Sequence, residues 1–181
     1  MQIELTRELS TVLRYASEEA LRTGHRAVSP DHLLLGMLRQ NNNSGVSTLR
    51  QLGIDTELFK KALDLGIMKE EALSYEEISR ITMDMTSLRA INTAYYEAER
   101  YHHRRTDCIH LLLTISREPD SFGRLLLERK GIDSVVLRQK IEAFREEPEG
   151  PSEASMRIAE AIEAGIRSKL RSGIADKSAL S

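Results

Sequence analysis

The tetrapeptide His32-Leu33-Leu34-Leu35 returns as His110-Leu111-Leu112-Leu113, 78 positions later. The same offset superposes Leu52-Gly53-Ile54-Asp55 on Lys130-Gly131-Ile132-Asp133, Glu19-Ala20 on Glu97-Ala98, and His25-Arg26 on His103-Arg104. A constant offset over such a distance requires loops of equal length as well as similar helices, so the chain reads as one unit written twice, near 5–64 and 83–142. The sequence therefore divides into a first repeat (1–66), a connector (67–82), a second repeat (83–145), and a region at 146–181 expected to hold a linker, a short amphipathic helix and a disordered tail.

Each repeat carries the periodicity of four helices. Leu9, Val12, Leu13, Ala16 and Ala20 mark one face of a helix from about Thr6 to Thr23, which Gly24 ends by accepting a left-handed turn. Ser29-Pro30-Asp31 is a helix start: Ser29 suits the cap, Pro30 the first helical position, and Asp31 the positive end of the dipole. Leu33, Leu34, Met37 and Leu38 supply its buried stripe. The polar turn Asn41 to Gly45 leads to a short helix with Val46 and Leu49, and Asp55 or Thr56 caps a fourth with Leu58, Phe59, Ala62 and Leu63, ended by Gly66.

The second repeat follows with Leu88, Ile91, Ala94 and Ala98, then Leu111 to Ile115, then Leu125 to Leu127, then Val136, Leu137 and Ile141. No alternating strand pattern competes. The expected fold is all-α: two tandem four-helix repeats related by a pseudo-twofold, plus a C-terminal helical extension. Four such helices close only a small core, so the repeats are expected to pack on each other. After Phe144, Glu146 to Pro151 reads as a linker, Ser152 as the cap of a helix bearing Ile158, Ile162, Ile166 and Leu170, and Ser172 to Ser181 as a disordered tail.

Composition narrows the function. Lys and Arg number 26 against 28 Asp and Glu, so no broad basic field exists to hold nucleic acid. Trp is absent and aromatics are 4%, which removes stacking platforms for single strands. Cys108 has no cysteine to pair with, and no signal peptide or bilayer-length apolar run is legible, so a cytoplasmic location, or the stroma if plastid-derived, is expected.

The motifs Gly24-His25, Ser29-Pro30-Asp31-His32-Leu33-Leu34-Leu35-Gly36 and Leu49 with Leu52-Gly53 resemble the repeat of the double Clp N-terminal domain. That domain stands at the front of Clp-family unfoldases, and its repeat runs Gly-His, Gly-Thr-Glu-His-Leu-Leu-Leu-Gly, Leu-x-x-Leu-Gly. The second copy reads His102-His103, Asp107-Cys108-Ile109-His110-Leu111-Leu112-Leu113-Thr114, and Leu127 with Lys130-Gly131. The resemblance covers roughly residues 1–145.

It implies a non-catalytic protein-binding module that recognises substrates or adaptors, or docks on a Clp protease or unfoldase complex. The implied partners are Clp ATPase or protease subunits, adaptors and substrate proteins, with no nucleic acid, membrane, metal or cofactor. No Gly-x-x-x-x-Gly-Lys-Ser/Thr loop is present to cradle phosphates. The resemblance places peptide or adaptor contacts at Ser29, Asp31, His32, His25, His103, Asp107 and His110. In some members two acids before the motif His form phosphoarginine pockets; Asp31 matches one, and Ile109 occupies the other.

Residue chemistry leaves other readings beside this one. Asp31 serves a helix dipole without any ligand, and His32 and His110 can each bond a neighbouring loop. His25, His102, His103, Cys108 and His110 could build a small metal- or thiol-dependent enzyme. Tyr95, Tyr96, Tyr101 and the run Arg100 to Arg105 form a basic, aromatic cluster. It would suit an acidic partner, a nucleic-acid-binding regulator, or merely a solvated helix end.

Overall fold

The computed structural model describes residues 4–69, 71–146, 160–165 and 167–168. Met1–Phe144 forms one compact unit and Arg145–Ser181 a second.

In the first unit the helices are α1 (Arg7–Arg22), α2 (Pro30–Gln40), α3 (Ser44–Gln51), α4 (Thr56–Ile67), α5 (Met85–Arg100), α6 (Cys108–Ile115), α7 (Phe122–Arg129) and α8 (Ser134–Ala143). Every helix of the second set starts 78 residues after its counterpart. Local chemistry sets those starts: Thr6, Asn43, Asp55, Asp84, Ser121 and Asp133 each accept a first-turn N–H with a side-chain oxygen. Gly24 leaves α1 at φ 81°, and its counterpart His102 adopts φ 59° without the glycine, a strained conformation for a side chain with a Cβ.

The connector holds more structure than its composition suggests. A 3-10 helix spans Tyr75–Arg80, and the two-residue strands β1 (Ala27–Val28) and β2 (Thr82–Met83) pair in parallel. Val28 faces Met83 in register, and Leu5 forms an isolated parallel bridge with Thr106. Under the 78-residue offset these two pairings are the same pairing, made once in each direction. The segment entering the first helix of either repeat is bonded to the segment entering the second helix of the other.

One core serves both repeats. Leu9, Val12, Ala16, Leu33, Leu34, Met37, Leu49 and Leu63 are buried in the same cluster as Ala94, Leu111, Leu112, Leu113, Leu127, Leu137 and Ile141. The first and second helices of each repeat are also tied by matched ion pairs. Arg39 meets buried Glu19 at 3.4 Å, and Arg117 meets buried Glu97 at 2.8 Å.

Three details depart from the sequence-based expectation. Gly66 lies inside α4, because the Phe122 ring of α7 packs where a side chain would stand. Leu58, Leu88 and Leu125 are exposed at 62%, 47% and 43%, since Phe59 with Leu63, Ala90 with Ala94, and Leu127 hold the inward faces. The polar turn ends two residues earlier than its composition implies, with Ser44 and Gly45 already in α3.

In the second unit, residues 160–165 and 167–168 are helical, Ile162 is exposed, and Arg167 pairs with Glu163 at 2.9 Å. The Ser152 cap, Ile158, Ile166, Leu170, most of the linker and the tail fall outside the described residues.

Candidate functional site

The residues of the repeated motif gather at two junctions, one at the start of α2 and one at the start of α6. In both, a histidine occupies the third helical position, where a capping box ordinarily has Glu or Gln. His32 Nδ1 accepts the Ser29 N–H, and His110 Nδ1 accepts the Asp107 N–H, each at 2.9 Å.

That acceptor role assigns the tautomer. Thr23 Oγ1 donates to the Glu19 carbonyl at 2.8 Å, so His32 Nε2–H donates to Thr23 Oγ1 at 2.9 Å. His32 thereby joins the start of α2 to the end of α1 as a neutral imidazole. Burial, reinforced by His25, Arg22 and Lys69, pushes its pKa down to about 3. His25, edge-on to it with ring centroids 4.8 Å apart, is also shifted down, first by burial and then by Lys69.

At α6 the same logic gives His110 Nε2 the proton, which it donates to His103 Nδ1 at 2.8 Å. Phe144 closes edge-on over both rings. The facing nitrogens of His103 and His110 are thus joined to each other. Among the described residues no group of three His, Cys, Asp or Glu side chains could hold a metal.

The acids of the two junctions are arranged differently. Asp31 accepts from Ser121 Oγ at 2.7 Å and from the N–H groups of Phe122 and Gly123 at 3.1 and 2.8 Å. Its carboxylate caps α7 of the other repeat, where the sequence suggested a role at the dipole of its own helix. At the second junction Ile109 has no carboxylate, and Ser44 and Asp107 make the link. Ser44 Oγ donates to Asp107 Oδ1 at 2.9 Å and accepts the Ile109 N–H at 3.0 Å. Asp107 also takes the Cys108 N–H at 2.6 Å and the Thr6 hydroxyl at 3.3 Å. Burial raises its pKa, and these three bonds oppose the rise.

Of the seven residues expected to contact a ligand, His25, Ser29, His103 and Asp107 are half-buried, while Asp31, His32 and His110 are buried. The first junction gathers His25, Ser29, Asp31 and His32, and the second gathers His103, Asp107 and His110. Cys108 is fully buried and its thiol is pushed well above the ordinary range, by burial and then by Asp107 and Glu8. A thiol held neutral in this way is a poor nucleophile. Thr23, Ser44, Ser121 and Gly123 also make junction bonds, and the sequence assigned none of them a role there. Their one visible sign was their place at helix ends.

A duplicated helical unit whose halves pair each other's entry segments, and whose first half caps two helices of the second, is a tandem-repeat domain with an internal pseudo-twofold. The family model for the Clp repeat (R) N-terminal domain matches the chain twice, at residues 4–88 and 82–164, and the chain belongs to that family.

Among curated proteins it is similar to the negative regulator of genetic competence ClpC/MecB of Bacillus subtilis, at 27% identity over 136 residues. It is also similar to the chaperone protein ClpB of Oceanobacillus iheyensis, at 24% over 138 residues. These alignments cover 75% of this chain and 16% of each relative, so the chain spans about one-sixth of the relatives' length. Among solved structures, the N-terminal domain of ClpD from Arabidopsis thaliana matches with a TM-score of 0.60 at 16% identity, covering 77% of this chain and 93% of that one. The N-domain of ClpV from Vibrio cholerae matches with a TM-score of 0.63 at 17% identity, covering 77% and 86%. These two likenesses establish the fold. No helix among the described residues is long and apolar enough to cross a membrane.

Proposed function

We propose that this chain is a non-catalytic protein-binding module that recognises substrate or adaptor segments, or docks on a Clp protease or unfoldase complex, in regulated protein degradation. The observation that carries the reading is the family match across both repeats. Relatives named as ATP-binding subunits of Clp proteases support it, as does a matching solved structure that includes a peptide from the EAEC T6SS Sci1 SciI protein. Within this reading, half-buried His25, Ser29, His103 and Asp107 are able to touch a ligand, and buried Asp31, His32 and His110 position them. The module works in the cytoplasm or an organelle stroma, where a lone buried cysteine stays reduced.

The thiol-enzyme alternative loses its support from the burial of Cys108 and the mutual engagement of His103 and His110. Affinity capture of the tagged full chain from cell extract tests the leading reading. Clp ATPase, Clp protease subunits, adaptors or their clients should be retained and identified by mass spectrometry. Repeated recovery of none of these would overturn it.

A further inference from the structure

The two repeats use one surface differently. In the first, the connector crosses the C-terminal end of α1. The Leu73 N–H donates to the Leu21 carbonyl at 2.9 Å, the Lys69 N–H donates to the Thr23 carbonyl at 3.0 Å, and Glu77 pairs with Arg26. In the second repeat the equivalent surface, at the C-terminal end of α5, is a cleft of about 330 Å³ lined chiefly by Glu4, Tyr95, Glu99, His103, Arg104 and Arg105.

The groups that hold the connector have counterparts in this cleft. Glu99 stands where Leu21 stands, and its carbonyl accepts the His102 N–H at 2.9 Å just as Leu21 accepts that of Gly24 at 3.1 Å. The Leu21 carbonyl takes the Leu73 N–H besides the helix-end N–H groups of Thr23 and Gly24, and the Glu99 carbonyl, with Tyr101 and His102 in the same places, presents the same acceptor. Arg104 stands where Arg26 stands; it is exposed and, among the described residues, has no ion-pair partner. The chain's own residues at the connector-equivalent positions lack the matching chemistry. Pro151 replaces Leu73 and has no N–H to donate, and Ser155 replaces Glu77 and has no charge.

We propose that the cleft beside α5 docks an extended segment of a partner protein. That segment gives a backbone N–H to the Glu99 carbonyl and places an acidic side chain, four residues further on, against Arg104. The spacing is that of Leu73 and Glu77 in the connector. Tyr95, whose hydroxyl donates to Glu99 Oε1 at 2.7 Å, supplies an aromatic wall. Because Glu4 and Glu99 share the cleft, a local acid at Arg104 fits and a uniformly acidic tract is disfavoured. The proposal rests on the protein-binding reading and adds the place and the chemistry.

The test titrates the purified full chain against a fluorescein-labelled peptide of the sequence of residues 72–80, Ala-Leu-Ser-Tyr-Glu-Glu-Ile-Ser-Arg. Saturable binding is expected, weakened about five-fold by a Gln at the peptide's Glu77 position. Arg104→Glu in the chain should weaken it at least about ten-fold, and an Arg at the peptide's Glu77 position should restore binding to that variant. Arg104 is exposed, so an unchanged Tm is expected and serves as the folding control. No binding up to roughly 1 mM peptide, or binding indifferent to Arg104, overturns the proposal. Self-association of the chain that Arg104→Glu abolishes would give the cleft to a second copy and overturn it equally. These readouts use the purified chain alone, so they are decided separately from the capture of Clp components.

Discussion

The carboxylate of Asp31 accepts the backbone N–H of Gly123 at 2.8 Å, across a sequence separation of 92. With Ser121 Oγ and the Phe122 N–H it makes three bonds at a site only 8% exposed. Asp31→Ala would strand those donors, and we expect a loss of about 3 kcal/mol in urea unfolding. Asp31→Asn keeps an acceptor and should lose about half as much. Equal stability of the Ala variant and the parent would refute the capping role.

His32 makes stability depend on pH. Its folded pKa of about 3 lies below the ordinary 6.5, so the unfolded chain takes up the proton first as pH falls. The contribution is full above about pH 6.5 and is lost as pH drops toward 3. Between pH 7 and pH 5 this group alone should cost about 2 kcal/mol of unfolding free energy. Asp107, shifted upward, acts in the opposite sense at lower pH. Comparison with His32→Gln isolates the histidine: the slope between pH 7 and 5 should flatten in the variant, and an identical slope would show that His32 does not titrate as described.

Cys108 should resist alkylation. At pH 8 the native chain is expected to react with iodoacetamide at least about a hundred-fold more slowly than the urea-unfolded chain, because the thiol is both inaccessible and held neutral. Comparable native and unfolded rates would show that the site opens readily.

Gly36 and Gly123 separate two kinds of crowding. A Cβ at Gly36 would stand 2.6 Å from the Val12 carbonyl oxygen and 2.9 Å from the Ala16 nitrogen, both backbone atoms of α1. Gly36→Ala should therefore cost about 3 kcal/mol, since two helices must part. At Gly123 the nearest atom is Leu34 Cδ2, the far end of a flexible side chain, and Gly123→Ala should cost about 1 kcal/mol. Thermal melts of the two variants check the order.

Helix starts were legible because their chemistry is local. Pro30 opens α2, Asp55 caps α4 and Gly24 closes α1, each acting within a turn of where it stands, whereas the Ser29 hydroxyl expected to cap an amide meets His32 Nδ1 instead. What stayed hidden was tertiary. Asp31 could be recognised as an acid at a helix start, yet nothing near it in sequence names Gly123 as its donor. Gly66 read as a stop, because the ring that fills its space belongs to Phe122, in the other repeat. The 3-10 turn of the connector has no periodicity of its own, and it lies on α1 through bonds from Lys69 and Leu73 that only the folded chain brings together.

The crossed entry segments carry a consequence for synthesis. Leu5 finds its bridge partner in Thr106, so during synthesis the segment entering α1 waits for about a hundred more residues before its pairing exists. At roughly 5–20 residues per second that delay is on the order of 5–20 s, during which the Leu-rich α2 has α1 beside it but lacks α5, α6 and α7, which also pack on it. Unlike a solenoid, which can grow one stable repeat at a time, this chain has no finished first half. A nascent chain halted before Thr106 is expected to be protease-sensitive throughout, becoming resistant only as the second repeat arrives.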